Sequence, residues 1–207
     1  MTDEISQAAG YDVSRETYDR LAAFERLLRK WNRTINLVAR STLDDLWSRH
    51  FMDSLQVVAE APDNTTRWAD LGSGGGFPGL VAAIAGADRG AGMVVTLVES
   101  DQRKAAFLRA AARELGLSVH VVTERIEALA PLNAEVLSAR ALAPLDTLLA
   151  YADRHLAPAG IALFPKGAAV QKEIDTALEH WRFTHQKIPS KTGSGGSILK
   201  IGGITRV

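Results

Sequence analysis

Trp68-Ala69-Asp70-Leu71-Gly72-Ser73-Gly74-Gly75-Gly76-Phe77-Pro78-Gly79 is a short apolar strand that ends in a carboxylate and runs into five glycines in eight positions. Glycine concentrated at such a turn lets the chain bend sharply and brings backbone against a ligand with no side chain intervening. A second apolar run, Met93-Val94-Val95-Thr96-Leu97-Val98, ends in Glu99, a carboxylate placed to accept hydrogen bonds from ribose hydroxyls. Strand, glycine turn, strand and acid together predict a bound adenosine cofactor.

Outward from this turn, strand and helix alternate. Strands are predicted at 66–71, 93–99, 118–122, 135–139 and 160–164, with helices at 78–86, 101–115, 144–156 and about 168–181. The strands are continuous apolar runs, as expected when helices cover both faces of a sheet. Residues 183–189 and 197–204 flank Gly193-Ser194-Gly195-Gly196 and read as a terminal β-hairpin. Upstream, Leu21, Phe24, Leu28, Trp31 and Ile35 recur at spacings of three and four, predicting a helix from Ser14 to about Arg33. A further helix is predicted from about Thr42 to Ala59, its stripe including Leu46, His50, Phe51 and Leu55, with Thr42 and Asp45 as a capping box. The expected fold is α/β: a doubly wound, mostly parallel seven-stranded sheet in one domain. Residues 1–62 form a helical cap on it, and 63–207 form the core, closed by the hairpin.

Composition bounds what such a fold does. The chain has 207 residues, 46% hydrophobic and 23% charged, ordinary values for one globular domain. Its lack of cysteine excludes a disulfide framework, a thiolate zinc site and a cysteine nucleophile, and no metal is expected. No apolar run approaches about 18 residues, which predicts a cytoplasmic protein without membrane association. A net charge of zero counts against an obvious nucleic-acid binder. The average conceals polarity: residues 154–207 carry eight basic side chains against three acidic, and residues 15–50 carry eight against five. The simplest reading of both is solvated surface charge.

The turn formally satisfies G-x-G-x-x-G, and Glu99 lies twenty residues beyond Gly79, so a nicotinamide-dependent oxidoreductase must be weighed. Asp70 argues against it, because a carboxylate directly before the first glycine would repel a diphosphate. A cofactor with a sulfonium, an ammonium group and no phosphate suits an acidic, glycine-rich pocket, which favours S-adenosylmethionine. A methyltransferase acting on a small molecule or a protein remains an alternative at this point.

The chain resembles the ribosomal RNA small subunit methyltransferase G family, also called glucose-inhibited division protein B. The likeness spans about residues 25–204 and rests on Asn36-Leu37-Val38, Arg49-His50-Phe51-Met52-Asp53-Ser54, the 70–79 turn, Arg103-Lys104-Ala105-Ala106-Phe107-Leu108, Ser138-Ala139-Arg140-Ala141, Pro165-Lys166-Gly167 and Gly195-Gly196-Ser197-Ile198. Ser73 and Gly75 stand where relatives often have Thr and Pro, and Ile126 where Val or Ala is common. The resemblance implies methyl transfer to N7 of a guanine in 16S ribosomal RNA, in the conserved loop near the decoding centre. The implied substrate is that RNA or the 30S subunit, and the enzyme is expected to be a monomer. By position it also implies that Gly72, Phe77, Ile126, Glu127 and Arg140 contact S-adenosylmethionine.

The residues themselves suggest further roles. Asp70, Gly72 and Gly74 belong to the cofactor turn, with the glycine backbones near the methionine moiety. Glu99 binds the ribose, and Ile126 with Glu127 frames adenine. Arg140, at the end of a strand, holds the methionine carboxylate or an RNA phosphate, since its fork suits both. Lys166 approaches the target base or a phosphate. His50 is a candidate positioning group, against the alternative of a satisfied core histidine, and Asp53 is a partner for it or for Arg49. Guanine N7 carries no proton, so no general base is required, and alignment is the main task. Arg29, Lys30, Arg33 and Arg40 then read with the basic C-terminal third as phosphate contacts.

Overall fold

Seven strands form one sheet in the computed structural model, which describes residues 2–88, 92–192 and 195–207. β1 (Arg67–Leu71), β2 (Val94–Val98), β3 (Val119–Val122), β4 (Ala134–Ala139) and β5 (Leu156–Lys166) are mutually parallel. The hairpin of β6 (Trp181–Pro189) and β7 (Ser197–Arg206) adds through β7, which lies antiparallel to β5. Across the sheet the order is β3-β2-β1-β4-β5-β7-β6. Strand order reverses between β1 and β4, and in open α/β sheets the crevice beyond the carboxyl ends at such a point is where ligands bind.

Period-two alternation along the strands sorts the core into two layers. Trp68, Val95, Leu97, Val136 and Leu163 face α1 (Thr2–Ala9), α2 (Arg15–Trp31), α3 (Asp53–Ala59), α4 (Gly79–Asp88) and α5 (Gln102–Glu114). Leu71, Val98, Leu137, Phe164 and Leu199 face α6 (Leu145–His155) and α7 (Val170–Ala177). α4 is apolar all round, with Gly79 through Gly86 buried, because it lies beneath α2 and α3 as well as against the sheet. Phe24 of α2 ties these layers to the glycine turn, with ring centroids 5.4 Å from Phe51, 5.2 Å from Phe77 and 6.4 Å from Phe107.

The Ser14 cap is as expected: its hydroxyl accepts from Thr17 N at 3.0 Å at the start of α2. The expected helix over 42–59 is not continuous. A 3-10 turn occupies Arg40–Thr42, a π-helical segment runs over Trp47–Met52, and α3 begins only at Asp53. No capping box forms, since the Thr42 hydroxyl donates to Ala39 O at 2.8 Å. Spacings of three and four mark a buried face but do not distinguish helix types. Helix α1 is an additional element whose stripe, Ile5, Ala8 and Ala9, is too short to stand out in the sequence. β5 begins at Leu156 rather than 160 because its pairing with β4 shifts register between Ala134 and Val136, taking in Pro158 and Gly160, residues tolerated at such irregularities. Part of the expected hairpin turn, residues 193–194, lies outside the described residues.

Candidate functional site

The glycine turn is organised from behind by a buried polar chain. Asp70, at the end of β1, has no exposed surface. Its Oδ1 accepts from the Ser138 hydroxyl at 2.6 Å, and that hydroxyl accepts from the Trp68 indole N–H at 2.8 Å. Asp70 Oδ2 accepts from Gly79 N at 3.2 Å. The carboxylate therefore occupies the N-terminus of α4, the position a diphosphate would take in a dinucleotide fold. Asp70, expected as part of the cofactor turn, supports that turn from behind and is not among the residues lining the cavity. Glu99 grips the turn from the other side, its Oε2 accepting from Gly74 N at 2.9 Å and its Oε1 from Asp101 N at 2.8 Å. With those amides taken by carboxylates, the turn is no phosphate cradle, and the nicotinamide reading loses its physical basis.

Burial pushes the Asp70 carboxyl up to about 6, against the opposing pull of hydrogen bonds from Ser138, Ser73 and Gly79 and of the Arg140 charge. Its folded value exceeds that of the unfolded chain, so its stabilising contribution is greatest below about pH 4 and is lost as pH rises through about 6. Asp70→Asn removes this dependence. The stability of the variant relative to the wild type is expected to improve by about 3 kcal/mol between pH 3.5 and pH 7.5, from roughly two pK units at about 1.4 kcal/mol each. Urea unfolding at the two pH values measures it, and a pH-independent difference would contradict this assignment.

In front of the turn lies a cavity of about 300 Å³ bounded by Gly72, Gly74, Glu99, Ile126, Glu127 and Arg140, all of them expected site residues. Such a volume is at the lower end for a small-molecule site. Gly72 has φ +66°, and a Cβ there would lie 2.6 Å from Leu142 Cδ1, so backbone forms the wall. Lys104, Arg125, Leu142 and Tyr151 also line the cavity and were not identified from sequence. The Tyr151 hydroxyl donates to Glu127 Oε1 and holds the Glu127 carboxyl below its ordinary range. With acidic and basic groups in one cavity, the donor and acceptor set fits the ribose, ammonium and carboxylate of S-adenosylmethionine. Tyr151→Phe is expected to weaken binding of that cofactor about three- to tenfold by calorimetry, moving the unfolding midpoint by less than about 2 °C.

Arg140, the residue after β4, also bounds a second, more open cavity of about 690 Å³ reaching Arg49, Asp53, Pro165 and Lys166. Ala141 and Leu142 line both cavities. Ala141 adopts φ +53°, a left-handed conformation that costs a non-glycine residue about 1 kcal/mol or more and clusters at functional sites. The Arg140 guanidinium donates to Arg49 O at 3.2 Å and lies 5.1 Å from the Phe77 ring centroid. Phe77 itself is buried in the aromatic cluster, where its ring supports Arg140, and it is not among the residues lining either cavity.

His50 also lies outside both cavities. Its ring stacks on Phe77 at 5.1 Å, and Nε2 meets the Thr42 hydroxyl at 2.9 Å. Burial, with the Arg140 and Arg49 charges, depresses its pKa to about 4, so it is neutral at pH 7 and braces the wall rather than exchanging protons. Asp53 pairs with neither His50 nor Arg49; its Oδ1 accepts from the Thr192 hydroxyl at 2.6 Å. Lys166 reaches the second cavity, but its Nζ is 2.7 Å from Glu173 Oε2 and 3.1 Å from Ala143 O. Glu173 Oε2 also accepts from Leu145 N, so Lys166 buttresses the start of α6 and is not a free cation. A third cavity, about 440 Å³, is bounded by Arg29, Asn32, Arg33, Arg40 and Leu43. Asn32 Oδ1 accepts from Leu37 N and Val38 N, and a Cβ on Gly75 would lie 2.9 Å from Leu37 O. This basic surface is therefore packed directly against the cofactor turn.

Known proteins align with this arrangement. A model of the family described as rRNA small subunit methyltransferase G (GidB) matches residues 17–197. The Ribosomal RNA small subunit methyltransferase G of Ruegeria sp. (strain TM1040) is 55% identical over 196 residues, covering 95% of each chain. That of Parvibaculum lavamentivorans is 49% identical over 207 residues, covering 99% of this chain and 91% of its own. Among solved structures, a TehB-like SAM-dependent methyltransferase from Corynebacterium glutamicum superposes with TM-score 0.56 at 16% identity, covering 87% of this chain and 98% of its own. A mutant of MtNAS in complex with S-adenosylmethionine gives 0.59 at 17%, covering 90% and 76%. These two likenesses are of fold: the sheet order is that of class I S-adenosylmethionine-dependent methyltransferases.

Proposed function

The chain belongs to the rRNA small subunit methyltransferase G family, and on that premise we propose that it methylates N7 of a guanine in 16S ribosomal RNA with S-adenosylmethionine as donor. The observation that carries this reading is the pair of cavities joined at Arg140, Ala141 and Leu142, one of small-molecule size beside the glycine turn and one open and roomy enough for a base. Gly72 and Gly74 offer backbone to the methionine moiety, Glu99 accepts from the ribose, Ile126 and Glu127 frame adenine, and Arg140 donates to the methionine carboxylate. Bound there, the cofactor supplies an electrophilic methyl group on a sulfonium.

Guanine N7 presents a lone pair and no proton, so these residues align and desolvate without abstracting anything. A neutral His50 and a Lys166 tied to Glu173 are consistent with that absence of acid–base work. Sequence-independent affinity for RNA comes from Arg29, Arg33 and Arg40 and the basic C-terminal third, contacts that position without specifying. The base enters the open cavity unpaired or flipped from its stack. The experiment is transfer of label from methyl-labelled S-adenosylmethionine to purified 30S subunits and to 16S RNA, with 50S subunits as control. Label confined to small-subunit RNA is expected. No incorporation into that RNA, or calorimetric binding of NAD(H) in place of S-adenosylmethionine, would overturn the reading.

A further inference from the structure

Arg49 and Asp53 stand four residues apart across the junction of the π-helical segment and α3, and both line the open cavity. At this spacing an arginine and an aspartate on one helical face ordinarily pair. Here they do not: among the described residues the Arg49 guanidinium has no hydrogen bond or ion pair, and Asp53 has no salt bridge. Asp53 Oδ1 is fixed by the hydroxyls of Thr192 at 2.6 Å and Ser190 at 3.4 Å, while Oδ2 has no hydrogen-bond partner among the described residues. A fork of donors and a pair of acceptors thus both border the open cavity without pairing with each other.

We propose that Arg49 and Asp53 read the Watson–Crick edge of the target guanine, with Arg49 donating to O6 and Asp53 accepting from N1–H and the N2 amino group. This rests on the guanine-methylation reading above. Guanine presents, in order along its edge, the donors N2–H₂ and N1–H, then the acceptors O6 and N7. The protein offers a complementary set in the open cavity: the Asp53 carboxylate to accept and the Arg49 guanidinium to donate, beside Arg140, which bonds the Arg49 carbonyl and borders the cofactor cavity. Adenine reverses the polarity at the first positions, offering its N6 amino group to Arg49 and its N1 lone pair to Asp53, and both contacts become repulsive. The pair therefore selects guanine as well as seating it.

The test compares 30S particles reconstituted with guanosine or with inosine at the methylated position, because inosine keeps O6 and N1–H and lacks the N2 amino group. Wild type is expected to favour guanosine at least tenfold in kcat/KM, and Asp53→Asn, which retains an acceptor for Thr192, to lower activity and bring the ratio close to one. The S-adenosylmethionine affinity of Asp53→Asn stays within about twofold, since Asp53 is outside the cofactor cavity. Arg49→Gln is expected to slow both RNAs alike, by tenfold or more, because both carry O6. A wild type that does not discriminate, or an Asp53→Asn variant that keeps the wild-type ratio, overturns the proposal. Loss of the ratio in Asp53→Asn with unchanged cofactor binding supports it. A wild type that methylates neither RNA removes the underlying reading and the proposal with it.

Discussion

Arg140→Ala is expected to lower kcat/KM for RNA methylation roughly 100-fold while shifting the unfolding midpoint by only a few degrees. The side chain borders both cavities and, among the described residues, is the one cation shared between them. Losing two charge-assisted contacts at about 1.5 kcal/mol each accounts for two powers of ten. Burial draws its pKa below the usual arginine value, with the Asp53 and Asp70 charges opposing, but a guanidinium stays charged at any working pH. Arg140→Lys preserves that charge and loses the planar fork resting by Phe77, so it is expected to recover no more than about tenfold of the deficit. Steady-state kinetics with cofactor and RNA varied separately checks this. Near-wild-type rates in Arg140→Ala would remove it from the site.

Gly79→Ala is expected to have the largest effect on stability. A Cβ at this position would lie 2.4 Å from Leu97 Cδ2, 2.6 Å from Asp70 Oδ2 and 2.7 Å from Asp70 Cβ. Neither neighbour has exposed surface, so neither can swing into solvent. Overpacking at about 1–3 kcal/mol adds to a buried carboxylate deprived of the Gly79 N–H, at about the same again. A loss of about 3–5 kcal/mol lowers the midpoint by roughly 10 °C in a chain of this length. Displacement of Asp70 also loosens the glycine turn, so S-adenosylmethionine binding is expected to weaken more than tenfold. Gly167→Ala, where an added Cβ meets nothing within 4 Å, is the stability control, expected within about 0.5 kcal/mol of wild type. Differential scanning calorimetry and isothermal titration measure the two consequences, and equal midpoints for the two variants would contradict the packing argument.

Alternating strands and helices, the glycine turn and the acid at Glu99 were legible because each is a local pattern with its own physical cause. Gly72, Gly74, Glu99, Ile126, Glu127 and Arg140 surround one cavity because each follows the carboxyl end of a strand. The direction of the Asp70 side chain follows from one further inference: in β1 it shares a face with Trp68, the face covered by α4. Alternation along five residues carried that information. Other features were beyond reach of local pattern. Asp53 and Thr192 meet across 139 positions, and Lys166 finds Glu173 over a loop between β5 and α7. Tyr151 projects from a helix whose periodicity marks only its buried face, so nothing in the sequence announced its bond to Glu127. The zero net charge misled in a similar way, since it averages over the arginines gathered around the third cavity.

Mapping the methylated atom tests the central claim most directly. 16S RNA from 30S subunits treated with the protein and S-adenosylmethionine would be digested for nucleoside mass spectrometry and, in parallel, cleaved chemically at N7-methylguanosine. The arrangement of two cavities about Arg140, with N7 as a nucleophile that carries no proton, predicts a single N7-methylguanosine per RNA and cleavage at one position. Methyl groups on an exocyclic amine or a ribose hydroxyl, whose attack requires loss of a proton, would contradict it.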